Sequence, residues 1–272
     1  MKANKILILV LTVVMVCSCQ TSPFTGKKTL NFVSNEELFP MSFQQYNEFL
    51  SENEVVKNTA EANMVKNVGS KIATAAERYM TALGYPGYLK DYKWEYNLVK
   101  DDAVNAFCMP GGKIVVYTGI LPITQDEAGL AMVMGHELAH ALANHGAQRM
   151  SATQLQQIGG AVGGVALGDS NAGQLFNQYY GVTTDVGLML PFSRSHESQA
   201  DEIGTIIAAI AGYDPYEAPE LWKRMQANSG GQEPMEILST HPSSASRIQA
   251  LTEIAPRAKA EAEKFGVTNF KS

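Results

Sequence analysis

Two histidines and a glutamate, in the run His136-Glu137-Leu138-Ala139-His140, are the residues of this 272-residue chain best suited to chemistry. Four residues advance an α-helix by about 400°, so the two imidazoles share one helix face. Two neutral imidazoles on one face provide half of a tetrahedral zinc site. The glutamate between them is placed to reach a water on such a metal rather than the metal itself. Apolar residues flank the run on both sides, so we predict a buried helix. Polar side chains in such a helix must form hydrogen bonds or bind a metal, because burying them without a partner is costly.

A third metal ligand has to come from elsewhere in the chain. The metzincin pattern requires Gly at position 143 and His at position 146, and the chain has Ala143 and Gly146, which excludes that class. The other arrangement is a carboxylate from a later helix, as in His₂Glu sites. Glu197 and Asp201 are four residues apart, so one helix face presents both. We expect Glu197 to complete a site for one Zn2+ per chain and Asp201 to accept the remaining N–H of a ligand histidine.

The elements that must position these residues are mostly helices. Two capping-box patterns, at Ser34 and at Thr124, each precede an apolar periodicity typical of a helix. Alternating residues and the turn signal Pro110-Gly111-Gly112 predict a few short strands with one hairpin. We therefore expect a mainly α fold with a small β-sheet, of the α+β class, in one domain. The predicted helices cover residues 34–50, 55–83, 124–150, 195–212, 216–228 and 246 onward with a break at Pro256, and the predicted strands cover 92–99, 104–109 and 113–118.

Composition excludes several classes of protein. Lys and Arg number 21 against 27 Asp and Glu, for a net charge of −6. Nucleic-acid-binding domains carry a basic excess, so no nucleic-acid partner is expected. Three cysteines are too few for a disulfide scaffold. Residues 151–190 are rich in glycine and weakly patterned, which leaves a buried helix, a mobile flap and a membrane-touching loop as alternatives.

The first residues have the pattern of a secretory leader. Lys2 and Lys5 precede the eleven apolar-rich residues Ile6–Val16. This run is too short to span a bilayer, which takes about 20 residues, and a short apolar run after a basic start is typical of a signal peptide. Cys19 ends the run Val-Cys-Ser-Cys, which resembles a bacterial lipobox. A plain secretory signal and an uncleaved hydrophobic anchor are the alternatives.

The lipobox interpretation divides the chain into three parts. We expect a lipoprotein signal peptide at residues 1–18, a lipidated polar tether at 19–33 that starts with Cys19, and a single peptidase domain at 34–272. Gln20, rather than Asp, follows the cysteine. By resemblance to enteric-type lipoproteins, this implies a lipid anchor in the bacterial outer membrane, on the side facing the periplasm.

A series of short motifs occurs in one order along the chain and together resembles a known family. The order is similar to that of the zinc metallopeptidases related to the CaaX prenyl protease and HtpX. With the lipoprotein leader, it places the chain nearest the periplasmic BepA-like and LoiP-like branch. The resemblance covers about residues 24–255 and implies a gluzincin-type HExxH zinc peptidase domain. The motifs are Asn105-Ala106-Phe107, Pro110-Gly111-Gly112, Tyr117-Thr118-Gly119, the run 136–140, His145-Gly146, the run 197–201, and His241-Pro242-Ser243 with Arg247.

The resemblance implies roles for three further residues. Asn105 would bind the backbone of an extended substrate at a strand edge, or else cap a turn. His241 and Arg247 would approach the zinc and stabilise the oxyanion, or else belong to a turn and an ion pair. His241 could instead occupy the open position of the zinc and keep the enzyme latent. His145 lies five residues after His140, off the ligand face, which favours a supporting or structural role.

These inferences lead to one function and two alternatives. The leading hypothesis is an outer-membrane-anchored zinc metalloendopeptidase that hydrolyses unfolded or misassembled envelope proteins, with outer-membrane assembly machinery as a candidate partner. One alternative is a non-proteolytic chaperone or assembly lipoprotein with a structural zinc site. The other is a processing enzyme with one native substrate.

Overall fold

The structure is a computed structural model that describes residues 19–162, 193–228, 236–241 and 245–272. The signal-peptide prediction for 1–18, and the part of the glycine-rich segment from 163 onward, lie outside these ranges. The strands are β1 (Cys19–Thr21), β2 (Lys28–Leu30), β3 (Val55–Val56), β4 (Glu95–Val99), β5 (Ala106–Met109) and β6 (Lys113–Tyr117). The helices are α1 (Asn35–Glu52), α2 (Ala60–Ala82), α3 (Leu121–Thr124), α4 (Glu127–Leu142), α5 (His145–Val162), α6 (Arg194–Ile210), α7 (Glu217–Asn228), α8 (Glu236–Thr240) and α9 (Ala245–Lys264).

The predicted fold class, mainly α with a small β-sheet, is confirmed. One four-stranded sheet has the order β3-β4-β6-β5, with β4 and β6 parallel and the other pairs antiparallel. Gly111 and Gly112, at φ of 83° and 87°, form the tight turn between β5 and β6, where a residue with a Cβ would be strained. Because of this order, β5 has one paired and one outer edge within the sheet.

Helix α4 is the central element of the molecule and carries the predicted zinc ligands. Asp126 caps its start by accepting from the backbone N–H groups of Ala128 and Gly129, at 2.8 and 3.0 Å. Every residue from Ala128 to Leu142 is buried. Helices α2, α6 and α7 and strand β5 all pack against it. A helix that is apolar on all sides belongs inside a core, and its few polar residues are thereby held away from bulk water.

One helix predicted at 124–150 is two helices, and this prediction was wrong. Helix α4 ends at Leu142, and Asn144 takes a left-handed conformation with φ of 54°. Helix α5 then begins at His145. Asn tolerates the left-handed region better than most residues because its short polar side chain bonds locally. The apolar periodicity on either side hides this single-residue break.

Helices α4 and α6 cross at two glycines. A Cβ built on Gly204 would lie 2.7 Å from the carbonyl carbon of Gly135 and from the backbone nitrogen of His136. A Cβ on Gly135 would lie 2.7 Å from the carbonyl oxygen of Gly204. The two backbones therefore touch, and His136 on α4 is brought against the face of α6 that carries Glu197 and Asp201.

Two other parts of the chain differ from expectation. Helix α9 continues through Pro256, where a break was predicted; the proline is exposed, so water can reach the carbonyl of Thr252 that loses its partner. Residues 19–33, expected as a tether, include the β1–β2 hairpin, and Phe24 in its turn stacks on Tyr79 of α2. No helix within the described ranges combines the length and apolarity needed to cross a bilayer.

Candidate metal centre

Four buried side chains bring one ligand atom each to within 4.8 Å of one another. His136 and His140 come from α4, Glu197 comes from the first turn of α6, and His241 follows α8. The first three are the ligands predicted from the sequence. The crossing of α4 and α6 places the carboxylate between the two imidazoles.

The distances within this group fit a tetrahedral zinc ion. The Nε2 atoms of His136 and His140 are 3.1 Å apart. The Glu197 carboxylate oxygens lie 3.5 Å from Nε2 of His136 and 3.4 Å from Nε2 of His140. Ligand atoms at 2.0–2.1 Å from a tetrahedral zinc are about 3.3 Å from one another. The donor set, two imidazoles and a carboxylate, is also one that zinc prefers, so the residues fit the metal.

His241 lies at the fourth corner of the same tetrahedron. Its Nδ1 is 2.9 Å from Oε1 of Glu197 and 3.2 Å from Nε2 of His136. Its Nε2 is 3.5 Å from Oε1 of Glu137. A zinc site with four protein ligands has no open position for water, whereas a catalytic site keeps one. The sequence left open whether His241 is catalytic or blocks the site, and its Nδ1 lies where a fourth protein ligand would lie.

The segment that carries His241 also touches the substrate-binding edge suggested by the sequence. The backbone N–H of Ile237 in α8 donates to the carbonyl of Val104 at 3.1 Å, just before β5. The N–H of His241 in turn donates to the carbonyl of Ile237 at 2.8 Å. One short helix therefore joins the strand edge to the fourth corner of the metal site.

Asp201 and Arg247 surround the ligands on the side of α9. Asp201 Oδ1 is 3.0 Å from Nδ1 of His136, where it accepts the remaining N–H of that ring. Arg247 binds Asp201 with Nε at 2.8 Å and Nη2 at 2.7 Å, and its Nη1 is 2.7 Å from Oε2 of Glu197. The guanidinium also stacks on Trp222 of α7, 3.5 Å from the ring centroid. Arg247, expected to stabilise an oxyanion, is thus already engaged with two carboxylates and orients both.

The electrostatics of the centre match its chemistry. Burial by itself would raise the pKa of Glu197, but the interactions with His241, His136 and His140 outweigh burial and lower this pKa. The Glu197 carboxylate is therefore ionised. Burial lowers the pKa of His140, which keeps this ring neutral and able to bind a metal. Burial raises the pKa of Glu137 above that of an ordinary carboxyl group.

A second polar cluster lies on the far side of His140. The Nδ1 of His145 is 2.9 Å from Nδ1 of His140, and Nε2 of His145 is 2.7 Å from Oε1 of Gln199. The ring of His196 stacks on His145 with centroids 4.2 Å apart and an angle of 15°. Burial lowers the pKa of His145 to about 3. The sequence offered no signal for Gln199 or His196 beyond their position beside Glu197.

Strand β5 lies alongside the metal centre. Asn105, just before it, accepts from the N–H of Ala106 with its side-chain oxygen at 2.9 Å, and its carbonyl accepts from Tyr117 at 3.1 Å. Burial and the charge of Glu137 raise the pKa of the Cys108 thiol, so it stays protonated. Cys19, the predicted lipidation site, is the first residue of β1.

Comparison with known proteins gives a consistent match. The model of the family described as Peptidase family M48 matches residues 61–255. Mitochondrial metalloendopeptidase OMA1 of Schizosaccharomyces pombe is 39% identical over 176 residues, which are 64% of this chain and 50% of the relative. Metalloendopeptidase OMA1, mitochondrial, of Homo sapiens is 28% identical over 250 residues, 88% of this chain and 46% of the relative.

A bacterial relative is also similar. Beta-barrel assembly-enhancing protease of Escherichia coli (strain K12) is 31% identical over 163 residues, 57% of this chain and 33% of the relative. This identity is lower than that of the fission-yeast protein, although the sequence motifs and leader pointed to the bacterial branch. The chain spans about half the length of the first of these relatives.

Proposed function

This chain belongs to peptidase family M48 and carries its zinc metallopeptidase domain, and we propose that it is an outer-membrane-anchored endopeptidase for unfolded or misassembled envelope proteins. The observation that carries the proposal is the convergence of three zinc ligands beside a buried glutamate and a strand edge. Glu137 is the discriminating residue, because a purely structural zinc site would not need a carboxylate that binds no metal.

The chemistry is that of peptide hydrolysis by water. Zinc, when bound, polarises a carbonyl and lowers the pKa of water from 15.7 towards about 7. His136, His140 and Glu197 would hold the ion. Oε1 of Glu137 is buried and accepts no hydrogen bond in the described parts of the chain, so it is available to take a proton from the attacking water. Glu137 would then deliver that proton to the leaving amine.

The position of strand β5 is an argument for an extended substrate. An extended peptide adds to an exposed strand edge through main-chain hydrogen bonds, and β5 is the outer strand of the described sheet and packs against α4. A folded protein has no free strand to offer, so unfolded or misassembled chains are the substrates that fit. Asn105, at the start of β5, would contact the substrate backbone.

The lipobox-like run at Cys19 supports the anchor and its membrane. Lipid on Cys19 would be joined to a hairpin packed on the body rather than to a flexible tether. The catalytic domain would therefore lie close to the membrane surface, facing the periplasm, within reach of outer-membrane proteins and of outer-membrane assembly machinery. Radiolabelled palmitate incorporated by the wild type and lost in Cys19→Ala would test the anchor.

A second candidate function is favoured by one observation. Four protein ligands around the metal position are typical of a structural zinc site. In that reading the chain is a chaperone or assembly lipoprotein that does not cut its clients.

One experiment separates the two candidates. Purified mature protein with zinc is incubated with casein, in the wild type and in Glu137→Gln, with Glu202→Gln as a control because Glu202 is exposed on α6. We expect the cleavage rate of Glu137→Gln to be about 10²–10⁴-fold lower than that of the wild type, while the variant still binds zinc. Equal rates in the wild type and Glu137→Gln would contradict the peptidase, and rescue of a deletion strain by Glu137→Gln would favour the chaperone.

A further inference from the structure

On the side away from the metal position, His140 contacts His145, which in turn contacts Gln199. Nδ1 of His145 lies 2.9 Å from Nδ1 of His140, and the other nitrogen of His145 lies 2.7 Å from the side-chain oxygen of Gln199. The side chain of His145 is fully buried, and His196 stacks on its ring in a nearly parallel plane. The ring plane and the positions of both its nitrogens are therefore set by the fold.

This chain of contacts has only one proton order that leaves His140 able to bind a metal. A neutral imidazole that binds through Nε2 must carry its proton on Nδ1. The Nδ1–H of His140 then donates to Nδ1 of His145, which has to be an acceptor. The proton of His145 is consequently on Nε2 and donates to Gln199. In the reverse order the proton of His140 would sit on Nε2, facing the metal position.

The two ligand histidines are thus oriented by different means. His136 donates from Nδ1 to the carboxylate of Asp201, which Arg247 neutralises. At Nδ1 of His140, the neutral ring of His145 stands where Asp201 stands at Nδ1 of His136. A neutral acceptor suits a centre that already holds the charges of Glu197 and Glu137, since a further buried carboxylate would repel both.

We propose that His145, held by Gln199, is a positioning residue that fixes the Nδ1–H tautomer and ring orientation of His140. The inference rests on the proposed zinc site and predicts that His145 controls metal affinity. Partners of metal-bound histidines of this kind contribute about 10–100-fold to affinity.

Zinc affinity of matched variants tests the inference. In the full mature chain, the zinc dissociation constant is measured by competition with a chromophoric chelator. His145→Leu removes the acceptor and keeps much of the volume, whereas the amide of His145→Asn can place an oxygen near the lost Nδ1. We expect about 10–100-fold weaker binding in His145→Leu and a substantial recovery in His145→Asn. Gln199 is half-exposed, so Gln199→Leu should weaken zinc binding by a smaller factor.

Equal affinity in His145→Leu and the wild type would overturn the proposal, as would an Asn variant as weak as the Leu variant. Thermal unfolding of the zinc-free variants checks that they fold.

A measurement on the wild type needs no variant. In ¹⁵N-histidine-labelled protein, a scalar coupling between the two Nδ1 atoms, with the proton on His140, would support the proposal. A proton on Nδ1 of His145 would overturn it. The coupling is measured with and without zinc, so a wild type that binds no zinc would contradict the proposed function while the proton order still decides the role of His145.

Discussion

Replacement of Gly204 by alanine should damage the metal centre more than it damages the fold. The new Cβ would lie 2.7 Å from the backbone of α4, against the 3.4 Å at which ordinary contact begins. Helix α6 must therefore move by about 0.7 Å relative to α4. Glu197 and Asp201 would move with α6 while His136 and His140 stay on α4, and metal–ligand distances tolerate only about 0.2 Å.

The two effects of this substitution differ in size. Overpacking costs about 1–3 kcal/mol, and alanine in place of a helical glycine returns about 1 kcal/mol. The free energy of unfolding should therefore fall by no more than about 2 kcal/mol. Zinc affinity should fall at least about tenfold, because the carboxylate ligand and the partner of His136 are both displaced.

Urea unfolding of the zinc-free chain and chelator competition measure these two quantities. Ser198→Ala is the matched control, since Ser198 is exposed on the same helix and does not face α4. We expect the control to keep the zinc affinity of the wild type. If Gly204→Ala gained about 1 kcal/mol of stability and bound zinc as tightly as the wild type, the crossing would not set the geometry of the site and the reasoning would be refuted.

Three other predictions follow from the contacts at the centre. His241→Ala should increase casein cleavage several-fold, because it opens the fourth corner of the site; a loss of cleavage would instead assign His241 to the reaction, and no change would contradict both roles. Arg247→Lys should lower the free energy of unfolding by about 1.5–3 kcal/mol in urea titrations, since a single ammonium cannot bridge both carboxylates; an unchanged midpoint would contradict this. Free zinc at 100 times its dissociation constant should stabilise the chain by about 2.7 kcal/mol, a gain that a chelator removes, and a melting temperature indifferent to zinc would refute the site.

Local sequence patterns determined much of the metal centre. The spacing of His136 and His140, and of Glu197 and Asp201, sets their helix faces whatever surrounds them, because helical periodicity is a local property. The hairpin at Gly111 could also be predicted from local sequence, because its turn needs residues without a Cβ. Zinc as the metal followed from the residue types alone.

The contact between His140 and His145 could not be read from these patterns. His145 is five residues after His140, and a continuous helix would place it about 140° away around the axis. The left-handed Asn144 ends that helix and returns His145 to His140. The apolar periodicity is the same with or without such a turn, so helical spacing alone could not place His145 against His140, although a supporting role was expected for it.

The tertiary structure alone decided how the separate pieces meet. Gly135 and Gly204 matter because neither has a Cβ where two backbones touch, and a sequence does not state which glycines face each other. The position of His241 at the fourth corner, and of Arg247 across two carboxylates, likewise depends on segments more than forty residues from Glu197. Side-chain type and spacing specify which groups can bind a metal, whereas their mutual distances arise only from packing of the whole core.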